Sequence, residues 1–275
     1  MSVEICIDVR CALGEGPRWD AASGTLLFVD IKGRALHRWD GASLETQRFD
    51  EYVGCVAPTA DGDVIVGLAS RIALASSGET LARFPHAADV RANDGACDPD
   101  GRLWIGTMQL DERAGAAALY RLEGDRLVEQ LDGLTISNGL GWHSDGSRMW
   151  FIDTPTRRIV EFAYDGELGE RRTLVELEDG TGFPDGLLVD DEDCLWVALW
   201  GGSSVRRYTP DGRLDRIVEL PAEHPTACAI GGTTLYVTTA KPDGRVYAVD
   251  AGVTAPSARP FRRTAPSDAE PTSAR

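Results

Sequence analysis

The chain is predicted to be an all-β, six-bladed β-propeller with four-stranded antiparallel blades, its ring closed by the N-terminal strand. Three observations predict this. A short strand-like run recurs six times, at residues 26–29, 64–66, 103–105, 149–152, 195–197 and 235–237. The runs are 38 to 46 residues apart, the size of one propeller blade. No helical period of apolar residues is visible anywhere in the chain.

Each run has similar neighbours. A turn signal precedes it in most copies: Ala22-Ser23-Gly24, Asp61-Gly62, Pro99-Asp100-Gly101, Ser144-Asp145-Gly146, Asp191-Glu192-Asp193 and Gly231-Gly232. A third strand follows, at 35–39, 72–74, 118–122, 159–162, 205–208 and 246–249. A fourth, more polar run ends the first five copies, as at 127–131 and 216–220. The sixth copy has none after Asp250, and the chain begins with a spare strand at 3–9. Pairing these two ends removes an exposed strand edge. A β-sandwich or a pair of small β domains would not need six matching units with a spare first strand. The clearest unit is 181–200, TGFPDGLLVDDEDCLWVALW. It reads as strand, tight turn, strand, with the Asp185 carboxylate at its mouth. Residues 1–253 read as one propeller domain. Residues 254–275 are rich in Pro, Ala and Ser and read as a largely disordered extension, with Pro260 and Phe261 placed to pack on the body.

Composition excludes several functions. With 28 basic and 44 acidic residues the net charge is −16. That field repels polyanions, so neither nucleic acid nor an anionic membrane is expected as a partner. No stretch is long and apolar enough to span a bilayer. The start, MSVEICIDVR, lacks a basic segment before an apolar core, so no signal peptide is expected. Six cysteines without a C-x-x-C pair read as reduced core thiols of a cytoplasmic protein. Nucleophile-elbow, zincin and P-loop motifs are missing, and the histidines are scattered. The repeat tryptophans Trp104, Trp150 and Trp196 read as packing between blades.

The repeat also locates a site. The first strand of each blade lies nearest the axis, so equivalent positions converge there. Five residues before the one that opens the hairpin turn stand Asp185, Asn138, Asn93 and Glu15, counted from Asp190, His143, Asp98 and Asp20. The second blade has Gly54 in that slot, and the sixth has Pro225 or Thr226. Two carboxylates and one or two amides at a channel mouth suit a hard or borderline divalent cation. Without one, Glu15 and Asp185 would repel each other. The adjoining glycines Gly16, Gly95, Gly139 and Gly186 fit a site or a purely geometric need of the backbone.

Several longer stretches carry a family resemblance. Leu13-Gly14-Glu15-Gly16-Pro17, Arg91-Ala92-Asn93-Asp94-Gly95, Leu103-Trp104-Ile105-Gly106-Thr107-Met108, Ile136-Ser137-Asn138-Gly139-Leu140, Asp153-Thr154-Pro155 and Pro184-Asp185-Gly186-Leu187 resemble the regucalcin/gluconolactonase family of six-bladed propeller lactonases. The resemblance spans about residues 10 to 250, nearly the whole chain. It implies metal-dependent hydrolysis of a sugar lactone, such as gluconolactone, to the aldonic acid. It implies Glu15, Asn138 and Asp185 as metal ligands, with Asp185 also the general base. It implies Arg91 and Asn93 as substrate contacts, with a further acidic contact at Asp111 or, one residue on, Glu112. The water nucleophile would be activated by Asp185 or would be a metal-bound hydroxide. Calcium, zinc, magnesium, manganese and iron(II) all tolerate such oxygen ligands. The expected partner is a small sugar lactone, and the expected state a monomer or weak homo-oligomer. A non-catalytic metal- or ligand-binding propeller and a hydrolase of other esters are the competing functions.

Overall fold

The computed structural model describes residues 2–85 and 89–263. Six four-stranded antiparallel sheets make up the fold, and five of them take their strands in sequence order. The sixth joins the N-terminal strand Glu4–Ile7 to Val246–Asp250, so the two ends of the body close the ring as the spare strand predicts. Thr226 Oγ1 donates to Gly14 O at 2.6 Å and Cys11 N to Gly244 O at 2.9 Å, stitching the last blade to the first. The six cysteines are free thiols. Among the described residues, no helix is long and apolar enough to cross a membrane.

Burial falls off from the axis outward. The second strands, such as Leu103–Gln109 and Leu195–Trp200, are buried on both faces and carry unbroken apolar runs. The outer strands, such as Leu44–Arg48, are largely exposed and polar. Trp104, Trp150 and Trp196 are fully buried between blades, as the repeats predict. The structure adds a polar device to that packing. Each indole N–H donates to a buried carboxylate: Trp104 to Asp98 at 3.0 Å, Trp150 to Glu161 at 3.0 Å, Trp196 to Asp190 at 2.8 Å. Asp98 Oδ1 also accepts the turn N–H groups of Asp100 and Arg102, each at 2.9 Å. Its Oδ2 accepts Arg102 Nε at 2.7 Å and the Tyr164 hydroxyl at 2.8 Å. Asp190 repeats the pattern with Glu192 N, Cys194 N and Arg207 Nε. One carboxylate thus closes a hairpin turn, satisfies a buried tryptophan and holds an arginine.

The inner strands Gly14–Asp20, Val53–Pro58, Val90–Cys97, Ser137–Trp142, Phe183–Val189 and Pro225–Gly231 each hold one residue more than their partner at one point. Such a bulge bends the strand and re-aims its side chains. The bulges fall beside Glu15, Gly54, Asn93, Asn138, Asp185 and Thr226, the slots found by counting back from each turn. Neighbouring inner strands approach so closely that a methyl group would collide. A Cβ on Gly54 would lie 2.5 Å from Ala92 O, on Gly139 2.6 Å from Asp185 O, and on Gly186 2.3 Å from Ala227 Cβ. At these three positions the glycine provides space. Gly16, with φ of 52°, has room for a methyl group and instead uses the left-handed region.

Past the last blade the chain crosses the end of the ring away from these bulges. Asp191 N donates to Thr254 O, Ala258 N to Trp19 O, Phe261 N to Pro58 O and Arg262 N to Gly101 O, at 2.8 to 3.0 Å. The segment therefore touches the fifth, first, second and third blades, and Phe261 is buried against the second and third. Of the extension 254–275 that reads as largely disordered, residues 254–263 make this crossing, and 264–275 lie outside the described residues.

The Asp98 anchor gives a pH-dependent contribution to stability. Burial by itself would raise the Asp98 pKa, but its donors, led by the Trp104 indole and the Arg102 backbone N–H, hold it below the usual range. The stabilisation is therefore complete above the unfolded value of about 3.9 and is lost as pH falls through the lower folded value. Asp98→Asn should lose about 2 to 4 kcal/mol at pH 7, with the deficit shrinking toward pH 3. Urea unfolding at both pH values measures this. Equal midpoints at pH 7 would mean that the anchor carries no weight.

Candidate metal centre at the propeller axis

Glu15, Arg91, Asn93, Asn138 and Asp185 come together at the bulges, each only 5 % to 6 % exposed. A relay of hydrogen bonds crosses three blades. Arg91 Nη1 donates to Asn93 Oδ1 at 2.8 Å, and Asn93 Nδ2 to Asn138 Oδ1 at 3.1 Å. Asn138 Nδ2 donates to Thr154 Oγ1 at 2.8 Å, which donates to Pro184 O at 2.9 Å. The relay fixes which way each amide faces, because every donor has an assigned acceptor. Asn93 Nδ2 also reaches Ser137 O at 2.9 Å, so both of its amide hydrogens are used inside the protein.

The carboxylates are much less satisfied. Glu15 Oε2 accepts one backbone N–H, from Gly16 at 3.0 Å. Asp185 Oδ1 is buried with no hydrogen-bond partner. Burial, then the charge on Glu15, then that on Asp94, raise the Asp185 pKa well above the carboxylate range; Arg91 and Asn138 oppose this only in part. Burial and Asp94 raise Glu15 in the same way. Arg91 has its own pKa lowered to about 10 by burial and remains a cation at neutral pH. Buried like charges with an orphaned oxygen are costly without a counter-ion.

These features fit a divalent cation that prefers oxygen. Glu15 and Asp185 would supply charged oxygens and Asn138 a neutral one. Among the described residues no three His, Cys, Asp or Glu side chains are grouped to hold a metal, so the candidate set is two carboxylates and an amide.

One expected residue is exposed where the others are buried. Asp111 sits in an exposed turn, where its Oδ1 accepts Arg113 N at 3.2 Å. The next residue, Glu112, takes a left-handed φ of 58° and is the acid of that turn whose charge reaches Arg91. Sequence reasoning missed Thr154, which holds the Asn138 amide, and gave no role to Asp94. Thr154 stands in the Asp-Thr-Pro stretch without a repeat counterpart to reveal it. Asp94 is hidden by strand alternation, which places it opposite Asn93 until a bulge intervenes.

Comparison with known proteins agrees with this architecture. Residues 13–241 match the SMP-30/gluconolactonase/LRE-like region. The putative sugar lactone lactonase YvrE of Bacillus subtilis is 36% identical over 248 residues, 85% of either chain. Regucalcin of Danio rerio is 36% identical over 256 residues, 87% of either chain. Among solved structures, a calcium-binding protein, regucalcin, from Agrobacterium tumefaciens superposes with a TM-score of 0.87 at 26% identity, covering 96% of this chain and 98% of its own.

Neutralising either carboxylate should relieve the repulsion. Glu15→Gln and Asp185→Asn should each raise the melting temperature of the metal-free protein by about 2 to 6 °C. Calorimetry in chelator reads this directly. A lowered melting temperature in both variants would show that the pair is not under strain.

Proposed function

The chain belongs to the SMP-30/gluconolactonase/LRE-like family, and from that premise we propose that it hydrolyses a sugar lactone to the open-chain acid at the axial cluster. The observation that carries the proposal is the orphaned Asp185 oxygen, buried beside a second carboxylate and within the field of Arg91. A purely structural pair would have its oxygens satisfied, as Asp98 and Asp190 do. The regucalcin neighbour described as calcium-binding supports a divalent ion here.

Glu15, Asn138 and Asp185 would hold the cation. When bound, it would supply Lewis-acid polarisation of the lactone carbonyl and charge stabilisation at its oxygen. Asp185 is the candidate general base. Its Oδ1 takes a proton from the attacking water as the water oxygen bonds to the carbonyl carbon. The ring C–O bond then breaks, and the same carboxyl returns the proton to the leaving ring oxygen. Arg91 is a cation at neutral pH and donates to substrate oxygens; Asn93 holds it in place. With both amide hydrogens committed, Asn93 has only acceptor capacity left for a sugar hydroxyl. Glu112 is the acid of the neighbouring turn best placed for another hydroxyl.

The test is acid release from glucono-, galactono-, xylono- and arabinono-lactones, with aryl esters and phosphotriesters as controls. Chelator should abolish lactone hydrolysis, and at least one of calcium, magnesium, manganese, zinc or iron(II) should restore it. Asp185→Asn should lower kcat by about 10²- to 10⁴-fold. Full activity in chelator, or in Asp185→Ala, would overturn the proposal. Calcium uptake without turnover of any substrate would leave a binding propeller instead.

A further inference from the structure

Beneath the cluster lies a third carboxylate with its own cation. Arg18 Nη2 donates to Asp94 Oδ1 at 3.0 Å and to Gly95 O at 2.7 Å, and Nη1 donates to Pro17 O at 2.9 Å. The pair is nearly dry, with side chains 13% and 3% exposed. It joins the first blade to the third and passes over the second, whose slot residue is Gly54 and sends no side chain between them.

The bulges explain why both groups are there. In a regular strand residues three apart face opposite ways. Glu15 and Arg18 pair with Val29 and Leu27, which are two apart, so the extra residue returns Arg18 to the side of Glu15. Ala92 and Gly95 pair likewise with Thr107 and Ile105, and Asp94 lies within that irregular step. Both protein hydrogen bonds to Asp94 fall on Oδ1, from Arg18 and from Gly95 N at 2.7 Å; Oδ2 receives none among the described residues.

We propose that Asp94 is a third anion of the axial centre and that Arg18 is its resident counter-cation, the pair setting how tightly the centre holds a divalent ion. This rests on the reading of Glu15, Asn138 and Asp185 as a cation site. In the ionised form that binds a cation, three carboxylates, Glu15, Asp94 and Asp185, stand against two guanidinium groups, Arg18 and Arg91. One net negative charge faces the incoming ion. Removing Arg18 makes it two, and removing the charge on Asp94 makes it none. At this proximity one unit of charge changes the affinity for a divalent ion by about tenfold or more. Arg18 is thus a positioning residue that acts through Asp94 and keeps the ion exchangeable.

The experiment is a double-mutant cycle read by isothermal titration of calcium into metal-free protein. Arg18→Gln should bind at least about tenfold more tightly than the parent, and Asp94→Asn at least about tenfold more weakly. The double variant, with the parent's net charge, should return to within about threefold of it. If Arg18→Gln does not fold, Asp94→Asn and the double variant carry the same comparison. Parent-like affinity in both single variants, or weaker binding in Arg18→Gln, overturns this inference and leaves the cation site intact. A parent protein that takes up neither calcium nor manganese nor zinc overturns the cation site itself, and the inference with it.

Discussion

Six strands can converge on one axis only where their facing residues leave room for one another's backbones. That constraint shapes everything near the centre. It demands glycine at Gly54, Gly139 and Gly186, where a methyl group would strike the adjacent strand. It also demands an extra residue in each inner strand, because a straight strand cannot bend around so narrow a core. Glu15, Asn138 and Asp185 stand at these bends, so the packing solution and the proposed chemistry occupy the same few residues.

Much of this was legible in the sequence because a propeller has a fixed period. Counting back from His143 or Asp190 finds Asn138 or Asp185 whatever the intervening residues are, since hairpin length alone sets the distance to the axis. Other features do not follow the period. Arg18 and Asp94 reach the centre only because a bulge reverses strand alternation, and apolar-polar patterning records no bulge. Asp111 and Glu112 differ by one step in an exposed turn, and the left-handed conformation of Glu112 leaves no trace in the residue pattern. The tryptophans announced themselves as packing, but their bonds to Asp98, Glu161 and Asp190 connect different parts of each blade in three dimensions. The crossing of the chain after Thr254 was obscured by a composition typical of loose tails, although Phe261 is an anchor within it.

The two sets of buried acids make a useful contrast. Asp98 and Asp190 are surrounded by donors, so their burial adds order to the blades. Asp185 faces the charges of Glu15 and Asp94, and Glu15 faces that of Asp94. The same residue type, placed a few residues apart on the same strand or turn, is a fastener in one case and a source of strain in the other. The ring tolerates that strain because its tryptophan anchors lie elsewhere and do not share partners with the axis.

The crossing segment gives the ring a floor. Residues 256–259 lie beneath the inner strands, with Arg18, Leu140, Trp142 and Arg259 lining the space between. Arg18 therefore lies between the Asp94 carboxylate and this floor. With that end of the ring crossed by the chain's own C-terminal segment, the opposite mouth is the approach available to the substrate proposed above.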